Sequence, residues 1–446
     1  MKKRHIFVGF VALLAIGVGA TAYVISPTVH PGQLGEAPEL GRTGDYPIGT
    51  VEKEYVLADR TKITGWGALT GNLESTERKL AVRIWYPARE KTEAQSAQYV
   101  HQMKLAGKEP FEIVSNGIAV SGAAPLTGEK FPFVLMSHGY GGWSTQFSNL
   151  GEHIASQGYV VASIDHGDAM ADDITSAILS FGNVLVDRTL DQRQIMDLIV
   201  KEANGAAEGY ASLIDSEKLG LIGYSMGGYG AIASAGAPYV FDSDLMSNIP
   251  ETARDSLKRA NTAPLPIQAL VAFAPWGGQP DNRAWSAETM SNINVPALII
   301  SGNQDDIVNY DEGVTWLFDN MKNSDRYLLA YREARHNIVG NEFEVSDDMI
   351  FSALEFLKEP VWRSDRLNVI NQHFVTAFLD WKLKGDEDKA SYLNVPTVDS
   401  NQADWPVDFG EQLNGKLAGP EEEGYWRGFQ RRWAAGLELR QADAAE

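Results

Sequence analysis

Residues 218–230 read Lys-Leu-Gly-Leu-Ile-Gly-Tyr-Ser-Met-Gly-Gly-Tyr-Gly. The apolar residues 219–222 have the character of a short strand, and small residues dominate the stretch after Ser225, as a helix packed closely on a sheet requires. A Gly-x-Ser-x-Gly sequence between a strand and a helix predicts a sharp, strained turn that presents the serine at the sheet edge. Ser225 is therefore a candidate nucleophile. The pattern alone is weak evidence in a chain with 42 glycines, so the other parts of a site must be found elsewhere.

The composition excludes several classes of function. The chain has 59 acidic and 38 basic residues and a formal charge of −21, which disfavours nucleic acid and anionic membrane surfaces as partners. It has no cysteine, so disulfides, thiolate nucleophiles and zinc–thiolate sites are excluded. We expect no metal and no cofactor. A length of 446 residues with 44% hydrophobic content allows one large α/β domain with additions, or two smaller domains.

The amino terminus has the pattern of an export signal. Three basic residues at positions 2–4 precede an apolar run over residues 6–25, and Ala-Thr-Ala at 20–22 offers a small-x-small cleavage site. The run is also long enough, at about 20 residues, to span a bilayer if it is not cleaved. We expect residues 1–26 to be a signal peptide or a membrane anchor, and the protein to be periplasmic, secreted or membrane-anchored. Residues 27–50, with several prolines and glycines, are interpreted as a linker.

The rest of the chain divides into a main domain and an extension. Short apolar strands alternate with helices over residues 51–385, which predicts an α/β domain whose mainly parallel sheet is covered by helices on both faces. Residues 90–129 lack a sustained period and are interpreted as an irregular insertion near the sheet edge. Residues 240–265 are polar and charge-mixed, with a short helix predicted at 251–259, and fit either a lid or a solvated excursion. The extension at 386–446 contains three tryptophans whose density predicts docking on the domain: Trp405, Trp426 and Trp433.

A serine hydroxyl needs a neighbouring base, usually a histidine, before it can act as a nucleophile. On this type of sheet the base follows both the serine and the acid in chain order, which leaves two of the eight histidines, His336 and His373. His336 follows the predicted strand at 326–331 and lies in a loop at the active edge. His373 lies within a helical period, where a packed structural side chain is the better interpretation. We predict that His336 is the base.

The base requires a carboxylate that fixes its tautomer. The predicted strand at 297–301 runs into Gly-Asn-Gln-Asp-Asp at 302–306, which places two carboxylates between the serine and the histidine in sequence. Asp305 is the predicted acid. Asp306 is the alternative, because a turn can slip by one residue.

Attack on an ester creates an oxyanion that needs hydrogen-bond donors where its charge develops. The backbone N–H of Met226, at the start of the helix after Ser225, is one predicted donor. The backbone N–H of Tyr140 is the second predicted donor, because the glycine-rich loop at 138–142 follows an earlier predicted strand at 133–136. A tight turn with no further role is the alternative for that loop.

The chain resembles the α/β-hydrolase superfamily, over about residues 79–385, in four motifs that each follow a predicted strand: Ser-His-Gly-Tyr-Gly-Gly at 137–142, Gly-Tyr-Ser-Met-Gly-Gly at 223–228, Gly-Asn-Gln-Asp-Asp at 302–306 and Arg-His-Asn at 335–337. Residues 131–168 are similar to the dienelactone-hydrolase and platelet-activating-factor acetylhydrolase group. In those acetylhydrolases the acid follows the strand that corresponds to 267–274, where this chain has no carboxylate. The acid must then come from the later strand, as in the dienelactone and cutinase-like enzymes.

The Tyr140, Met226 and Asp305 positions are also similar to those of bacterial cutinase-like polyester hydrolases. In that group the tryptophan that matches Trp276 lines the acyl site, so the resemblance implies a substrate contact for Trp276. A buried structural tryptophan is the alternative. We include Tyr224 and Gly139 as further predicted substrate-binding residues: Tyr224 directly precedes the candidate nucleophile, and Gly139 directly precedes Tyr140.

The resemblance implies a serine carboxylic-ester hydrolase that forms an acyl-enzyme on short- to medium-chain or lipid-like esters. Phospholipid acetyl hydrolase, lipase, polyesterase and thioesterase activities remain alternatives, because pocket shape rather than the triad sets specificity. A non-catalytic binding protein on the same fold predicts a missing triad member, whereas all three residue types are present in order. A peptidase is disfavoured, because the sequence has no recognisable propeller or cap domain.

Overall fold

The structure is a computed structural model that describes residues 35–70, 73, 75–90, 96–103, 110–168, 174–260, 263–342, 351–404 and 415–445. The predicted signal or anchor at 1–26 lies outside these residues. In the part that the structure describes, none of the helices combines the length and the apolar character needed to cross a bilayer.

The described strands form a single sheet, and they are β1 (Ile48–Thr61), β2 (Ser75–Pro87), β3 (Ser96–Met103), β4 (Phe111–Ser121), β5 (Phe131–Ser137), β6 (Val160–Ile164), β7 (Ile214–Tyr224), β8 (Ala269–Phe273), β9 (Ala297–Gly302), β10 (Arg326–Tyr331) and β11 (Leu437–Ala442). Their order across the sheet is β11-β10-β9-β8-β7-β5-β6-β2-β1-β4-β3. The six strands from β10 to β6 run parallel, and β11 and β2 pair antiparallel at the two sides of this set. This mostly parallel sheet confirms the predicted fold class.

The described α-helices are α1 (Gly65–Thr70), α2 (Ser148–Ser156), α3 (Ile174–Gly205), α4 (Met226–Ser234), α5 (Asp244–Ser247), α6 (Glu251–Ala260), α7 (Ala287–Met290), α8 (Thr315–Asn320), α9 (Phe351–Leu357) and α10 (Ser364–Lys384). Helices α3 and α4 pack on each other and on β7, and α2 and α10 pack on each other. Every residue of β5, β6, β8 and β9 is buried, as the strands of a parallel sheet covered on both faces must be.

Residues 90–129 contain two strands, so their interpretation as an irregular insertion is wrong. Strands β3 and β4 pair antiparallel as a hairpin, and β4 pairs with β1 at the edge of the sheet, where the insertion was expected. The alternation of apolar and polar residues along β3 and β4 is not visible in the sequence, because apolar residues also occupy the solvent-facing side of the hairpin. Val100 is 52% exposed, Ile118 39% and Val114 38%. Without a clean alternation of apolar and polar residues, the sequence gives no strand signal.

The interpretation of residues 27–50 as a linker needs correction over 35–50. Ala37 is fully buried, and the backbone N–H of Leu40 donates to Nδ1 of His373 on α10 at 3.1 Å. The first strand also begins before the predicted end of the linker. This stretch therefore packs as part of the folded domain.

The C-terminal extension at 386–446 contributes a strand to the sheet. Strand β11 pairs antiparallel along the whole of β10, so the predicted boundary at residue 385 divides one sheet. Trp426 is fully buried, as docking predicts, whereas Trp433 is 38% exposed. Trp405 lies outside the described residues.

The described part of residues 240–265 contains the helices α5 and α6. Helix α6 packs on α3, and Ala253 and Leu257 are fully buried. The predicted short helix at 251–259 is therefore present and packed.

Two histidines are buried on the packed helices α2 and α10, and their imidazoles are held neutral. Burial lowers the pKa of His153 and of His373 to about 3. Nδ1 of His373 accepts the N–H of Leu40, and Nε2 of His153 lies 2.9 Å from Oγ1 of Thr376. In the unfolded chain both rings protonate near pH 6.5. Between about pH 6.5 and pH 3 the unfolded state therefore binds more protons than the folded state.

We expect the free energy of unfolding to fall as the pH falls through this window, by about 1.4 kcal/mol per pH unit for each histidine. Chemical denaturation at a series of values between about pH 6.5 and pH 4 measures the slope. The variant His373→Gln retains an acceptor for Leu40 but cannot take up a proton, so its slope should be smaller. Equal slopes for the variant and the wild type would contradict the assignment.

Candidate active site

Ser225 occupies a strained turn between β7 and α4. Its φ of 52° and ψ of −114° are unfavourable for a residue with a side chain. The turn is held on both sides, because the Ser225 N–H donates to the Phe273 carbonyl at 2.9 Å and the Ser225 carbonyl accepts the Trp276 N–H at 3.1 Å. The end of β7 and the turn after β8 together fix the position of the hydroxyl.

The two glycines of the motif are required by close backbone contacts. A Cβ atom at Gly223 would lie 2.3 Å from the carbonyl oxygen of Gly227. A Cβ at Gly227 would lie 2.0 Å from the carbonyl oxygen of Ser137, the last residue of β5. Both distances are far shorter than van der Waals contact, so only glycine fits at either position.

The predicted serine, histidine and aspartate lie in hydrogen-bond contact. Nε2 of His336 lies 3.1 Å from Oγ of Ser225, and Nδ1 of His336 lies 2.7 Å from Oδ2 of Asp305. The three residues follow β7, β9 and β10, whose carboxyl ends meet at one edge of the parallel sheet. The Asp305 side chain is fully buried, while that of His336 is 15% exposed. The imidazole therefore bridges a buried carboxylate and a serine near the surface.

The structure distinguishes the two candidate carboxylates. Oδ1 of Asp305 accepts the backbone N–H groups of Ile307 at 3.0 Å and Val308 at 3.2 Å, which leaves Oδ2 directed at His336. The side chain of Asp306 is 61% exposed and pairs with Arg335. The geometry therefore favours Asp305 as the residue that orients the imidazole.

We expect Asp305→Asn to lower kcat by about 10⁴-fold. The two backbone donors would hold the amide oxygen at the Oδ1 position, so the amide nitrogen would face Nδ1 of His336 and force the proton onto Nε2. An imidazole protonated there cannot accept the Ser225 proton. Asp306→Asn is the matched control and should keep kcat within about 2-fold, since it removes only an exposed pair. A larger loss in the control than in Asp305→Asn, measured with a chromogenic ester, would reverse the assignment.

The loop after β5 lies directly against the serine. A Cβ at Gly139 would lie 3.2 Å from Cβ of Ser225 and from the ring of Tyr224. Neither the backbone N–H of Tyr140 nor that of Met226 donates to an acceptor within the described residues. Within the described residues, both N–H groups are thus left without an acceptor, which an oxyanion site requires of its donors.

Aromatic side chains from the segments that adjoin Ser225 pack against one another. Trp276 packs edge-on against Phe181 at 5.3 Å between ring centroids, and Phe181 packs edge-on against Tyr140 at 5.9 Å. Tyr224 is buried under the histidine loop, with its ring 5.2 Å from that of His336. Trp276, Phe181 and Tyr140 therefore form one group of adjoining rings, and the Tyr224 ring packs against the imidazole.

Two protein families match parts of the chain. Residues 42–181 match "Platelet-activating factor acetylhydrolase, isoform II", and residues 124–253 match "PET hydrolase-like". Together with the sheet and the position of the serine, these matches agree on one fold. The chain has the α/β-hydrolase fold, with similarity to the cutinase-like group.

Curated relatives of this α/β-hydrolase include Cutinase 2 of Thermobifida cellulosilytica, 28% identical over 188 residues, which are 41% of this chain and 51% of that protein. Cutinase cut1 of Thermobifida fusca is also 28% identical over 188 residues, 41% of this chain and 42% of the relative. Platelet-activating factor acetylhydrolase of Canis lupus familiaris is 47% identical over 49 residues, 11% of each chain. This chain therefore spans about half, or less, of the length of each of these relatives.

The family matches cover only part of the site. Tyr140 and Ser225 lie within the matched ranges, whereas Asp305 and His336 lie beyond both. The pairing of Asp305 with His336 therefore rests on the geometry of the strand ends in this chain.

Three features near the site were not identified from the sequence. Phe181 belongs to α3, where the sequence predicts a helix over residues 187–202 only, whereas the described helix starts at Ile174. Arg188 and Asp168 form a buried ion pair beside the Tyr140 loop. Basic and aromatic positions within a long helix resemble ordinary packing positions, so the sequence carried no signal for them.

The third feature is another Ser-His-Asp arrangement in the core of this α/β-hydrolase. Oγ of Ser137 lies 2.7 Å from Nε2 of His166, and Nδ1 of His166 lies 2.8 Å from Oδ2 of Asp191. All three residues are fully buried. Gln192 donates through Nε2 to Oγ of Ser137 and to the Gly227 carbonyl, both at 2.9 Å. Through Gln192, this buried group is therefore hydrogen-bonded to the backbone just after Ser225.

Proposed function

We propose that the chain is a carboxylic ester hydrolase in which Ser225 is the nucleophile, His336 the general base and acid, and Asp305 the orienting carboxylate. The observation that carries this proposal is the unbroken series of contacts from Oγ of Ser225 through His336 to Asp305. The strained turn at Ser225 and the free backbone donors beside it give further support.

In the proposed first half-reaction, Nε2 of His336 takes the proton of Ser225 as Oγ attacks the acyl carbon. The tetrahedral oxyanion accepts the backbone N–H groups of Tyr140 and Met226. Asp305 stabilises the imidazolium, which then gives its proton to the departing alkoxide, so the alcohol leaves and the acyl-enzyme remains. In the second half, His336 takes a proton from water, the hydroxide attacks the acyl carbon, and the proton returns to Ser225 as the acid is released.

The proposed substrates are short- to medium-chain or lipid-like esters. The adjoining rings of Tyr140, Phe181 and Trp276 offer an apolar surface for an acyl group. The two matched families add two narrower candidates by name, a phospholipid with an acetyl group and a polyester. Substrate class has to be decided by assay, because pocket shape rather than the triad sets it.

The proposal is tested with purified protein on p-nitrophenyl esters from acetate to decanoate, with an acetylated phospholipid and a polyester film as further substrates. A fluorophosphonate should label one serine, and peptide mapping should find the label on Ser225. Hydrolysis of the p-nitrophenyl esters with labelling of Ser225 supports the ester hydrolase. A folded protein that neither hydrolyses any of these substrates nor accepts the label would instead be a non-catalytic binding protein on this fold.

We expect Phe181→Ala to shift the preference toward longer acyl chains. Removing the phenyl ring opens space next to Trp276, so the ratio of kcat/KM for p-nitrophenyl octanoate to that for the acetate should rise by about 10-fold. Because both rates come from one variant, the ratio is insensitive to a partial loss of folded protein. An unchanged ratio would show that the ring does not bound the acyl site.

We further propose that the protein is exported. The supporting feature is the basic start at residues 2–4 followed by the apolar run at 6–25. Cell fractionation with N-terminal sequencing of the product distinguishes cleavage near residues 20–22 from retention as an anchor. A product found only in the cytoplasm with its start intact would contradict export.

A further inference from the structure

The loop that carries the Tyr140 N–H is held at both of its flanking residues. Nη2 of Arg188 donates to the carbonyl of Gly139 at 2.9 Å. The backbone N–H of Gly141 donates to Oδ2 of Asp168, also at 2.9 Å. The peptide groups on either side of Tyr140 are therefore bound by two side chains from other parts of the chain.

Those two side chains form a single ion pair. Nη1 of Arg188 donates to Oδ1 of Asp168 at 2.9 Å, and Nη2 of Arg188 makes a second, shorter contact with Oδ2. The Arg188 side chain is fully buried and that of Asp168 is 2% exposed. Burial acts to raise the pKa of Asp168, but the adjacent Arg188 guanidinium outweighs it and holds this pKa below its ordinary value. The ion pair is therefore charged, bidentate and buried away from water, and this geometry makes it rigid.

Arg188 also contacts the helix that bears the other proposed donor. A Cβ atom added to Gly230 of α4 would lie 2.8 Å from Cβ of Arg188. Met226 is the first residue of the same helix. One buried arginine on α3 thus packs against the Met226 helix and hydrogen-bonds to the Tyr140 loop. Neither member of the pair has a described contact with Ser225, His336 or Asp305.

We propose that the Arg188–Asp168 pair is a positioning clamp that sets the Tyr140 N–H relative to the oxyanion. This inference rests on the proposed ester hydrolase function. A donor stabilises the oxyanion only when it lies about 2.7–3.1 Å from the place where the charge develops. A loop released by breaking the clamp would still accept substrate, but it would place the donor poorly in the transition state.

The test compares Asp168→Asn and Arg188→Lys with the wild type on p-nitrophenyl acetate. Lysine keeps the charge of Arg188, but it lacks the planar fork that joins Gly139 to both oxygens of Asp168. We expect kcat to fall by about 10- to 100-fold in both variants, with KM changed by less than about 3-fold. A trifluoromethyl ketone, whose adduct with Ser225 carries the same oxyanion, should bind more weakly by a factor close to the loss in kcat/KM.

Asp187→Asn is the matched control. Asp187 precedes Arg188 on α3 and makes a buried ion pair with Arg60 at 2.6 Å and a longer one with Arg78 at 3.4 Å, without a described contact to residues 139–141. This variant should lose thermal stability comparably and keep kcat within about 2-fold. If Arg188→Lys does not fold, Asp168→Asn alone decides, because it exchanges a single oxygen for an amide nitrogen.

Two outcomes would overturn the clamp. Unchanged kcat in Asp168→Asn would show that the Tyr140 loop does not need the pair. An equal fall in kcat for Asp187→Asn would show that loss of any ion pair on this helix has the same effect. Either outcome can be read only if the wild-type protein hydrolyses p-nitrophenyl acetate. An inactive wild type would refute the proposed function itself, so the two failures are distinguishable.

Discussion

Ser225→Ala should lower kcat on p-nitrophenyl acetate by about 10⁵- to 10⁶-fold while the protein remains folded. The proposed acyl-enzyme cannot form without the Ser225 hydroxyl, so only the slow attack by water assisted by the oxyanion donors would remain. The substitution removes one oxygen from a residue that is 7% exposed, and the contacts holding the turn involve only its backbone. Circular dichroism and the unfolding temperature should therefore match those of the wild type.

Ser137→Ala is the matched control for this prediction. Ser137 has its own histidine and aspartate at 2.7 and 2.8 Å, so contact distance alone does not single out Ser225. Burial does, because no substrate reaches a fully buried hydroxyl, and burial lowers the pKa of His166 to about 3, which makes that imidazole a poor base. The Ser137→Ala variant should still be labelled on Ser225 by the fluorophosphonate. It should keep most of its activity, at reduced stability. Activity lost in Ser137→Ala and retained in Ser225→Ala would refute the assignment.

The parts of the site that the sequence predicted are those fixed by local chain geometry. The strand, the turn and the small residues after Ser225 all occur within 13 residues, and each has a steric reason to be there. Asp305 and His336 were predicted by the same local logic, since each follows a short apolar strand whose carboxyl end must reach the same edge. Chain order then paired them without any knowledge of distances.

The parts that the sequence did not predict depend on contacts between distant segments. Strands β3 and β4 have apolar residues on their exposed face, so their period appears only once the hairpin is seen. Strand β11 is recognisable as part of the sheet only through its pairing with β10. The Arg188–Asp168 pair joins residues 20 positions apart, and nothing in the local sequence distinguishes a clamp from a surface ion pair.

His336→Ala should lower kcat by about as much as Ser225→Ala, roughly 10⁵- to 10⁶-fold, because nucleophile and base act as one unit. The double variant should then be no slower than either single variant. Labelling of Ser225 by the fluorophosphonate should also slow strongly, since the hydroxyl loses its proton acceptor at 3.1 Å.

His373→Gln is the control that separates a base from a packed ring. His373 follows the serine in the chain, as His336 does, but it is fully buried on α10 and its Nδ1 is engaged by the Leu40 N–H. Glutamine can accept the same hydrogen bond, so this variant should keep kcat within about 2-fold, with any loss appearing in stability. A folded His336→Ala that retained a tenth or more of the wild-type rate would mean that another group deprotonates Ser225. A folded but inactive His373→Gln would instead place the base on a helix that the geometry assigns to packing.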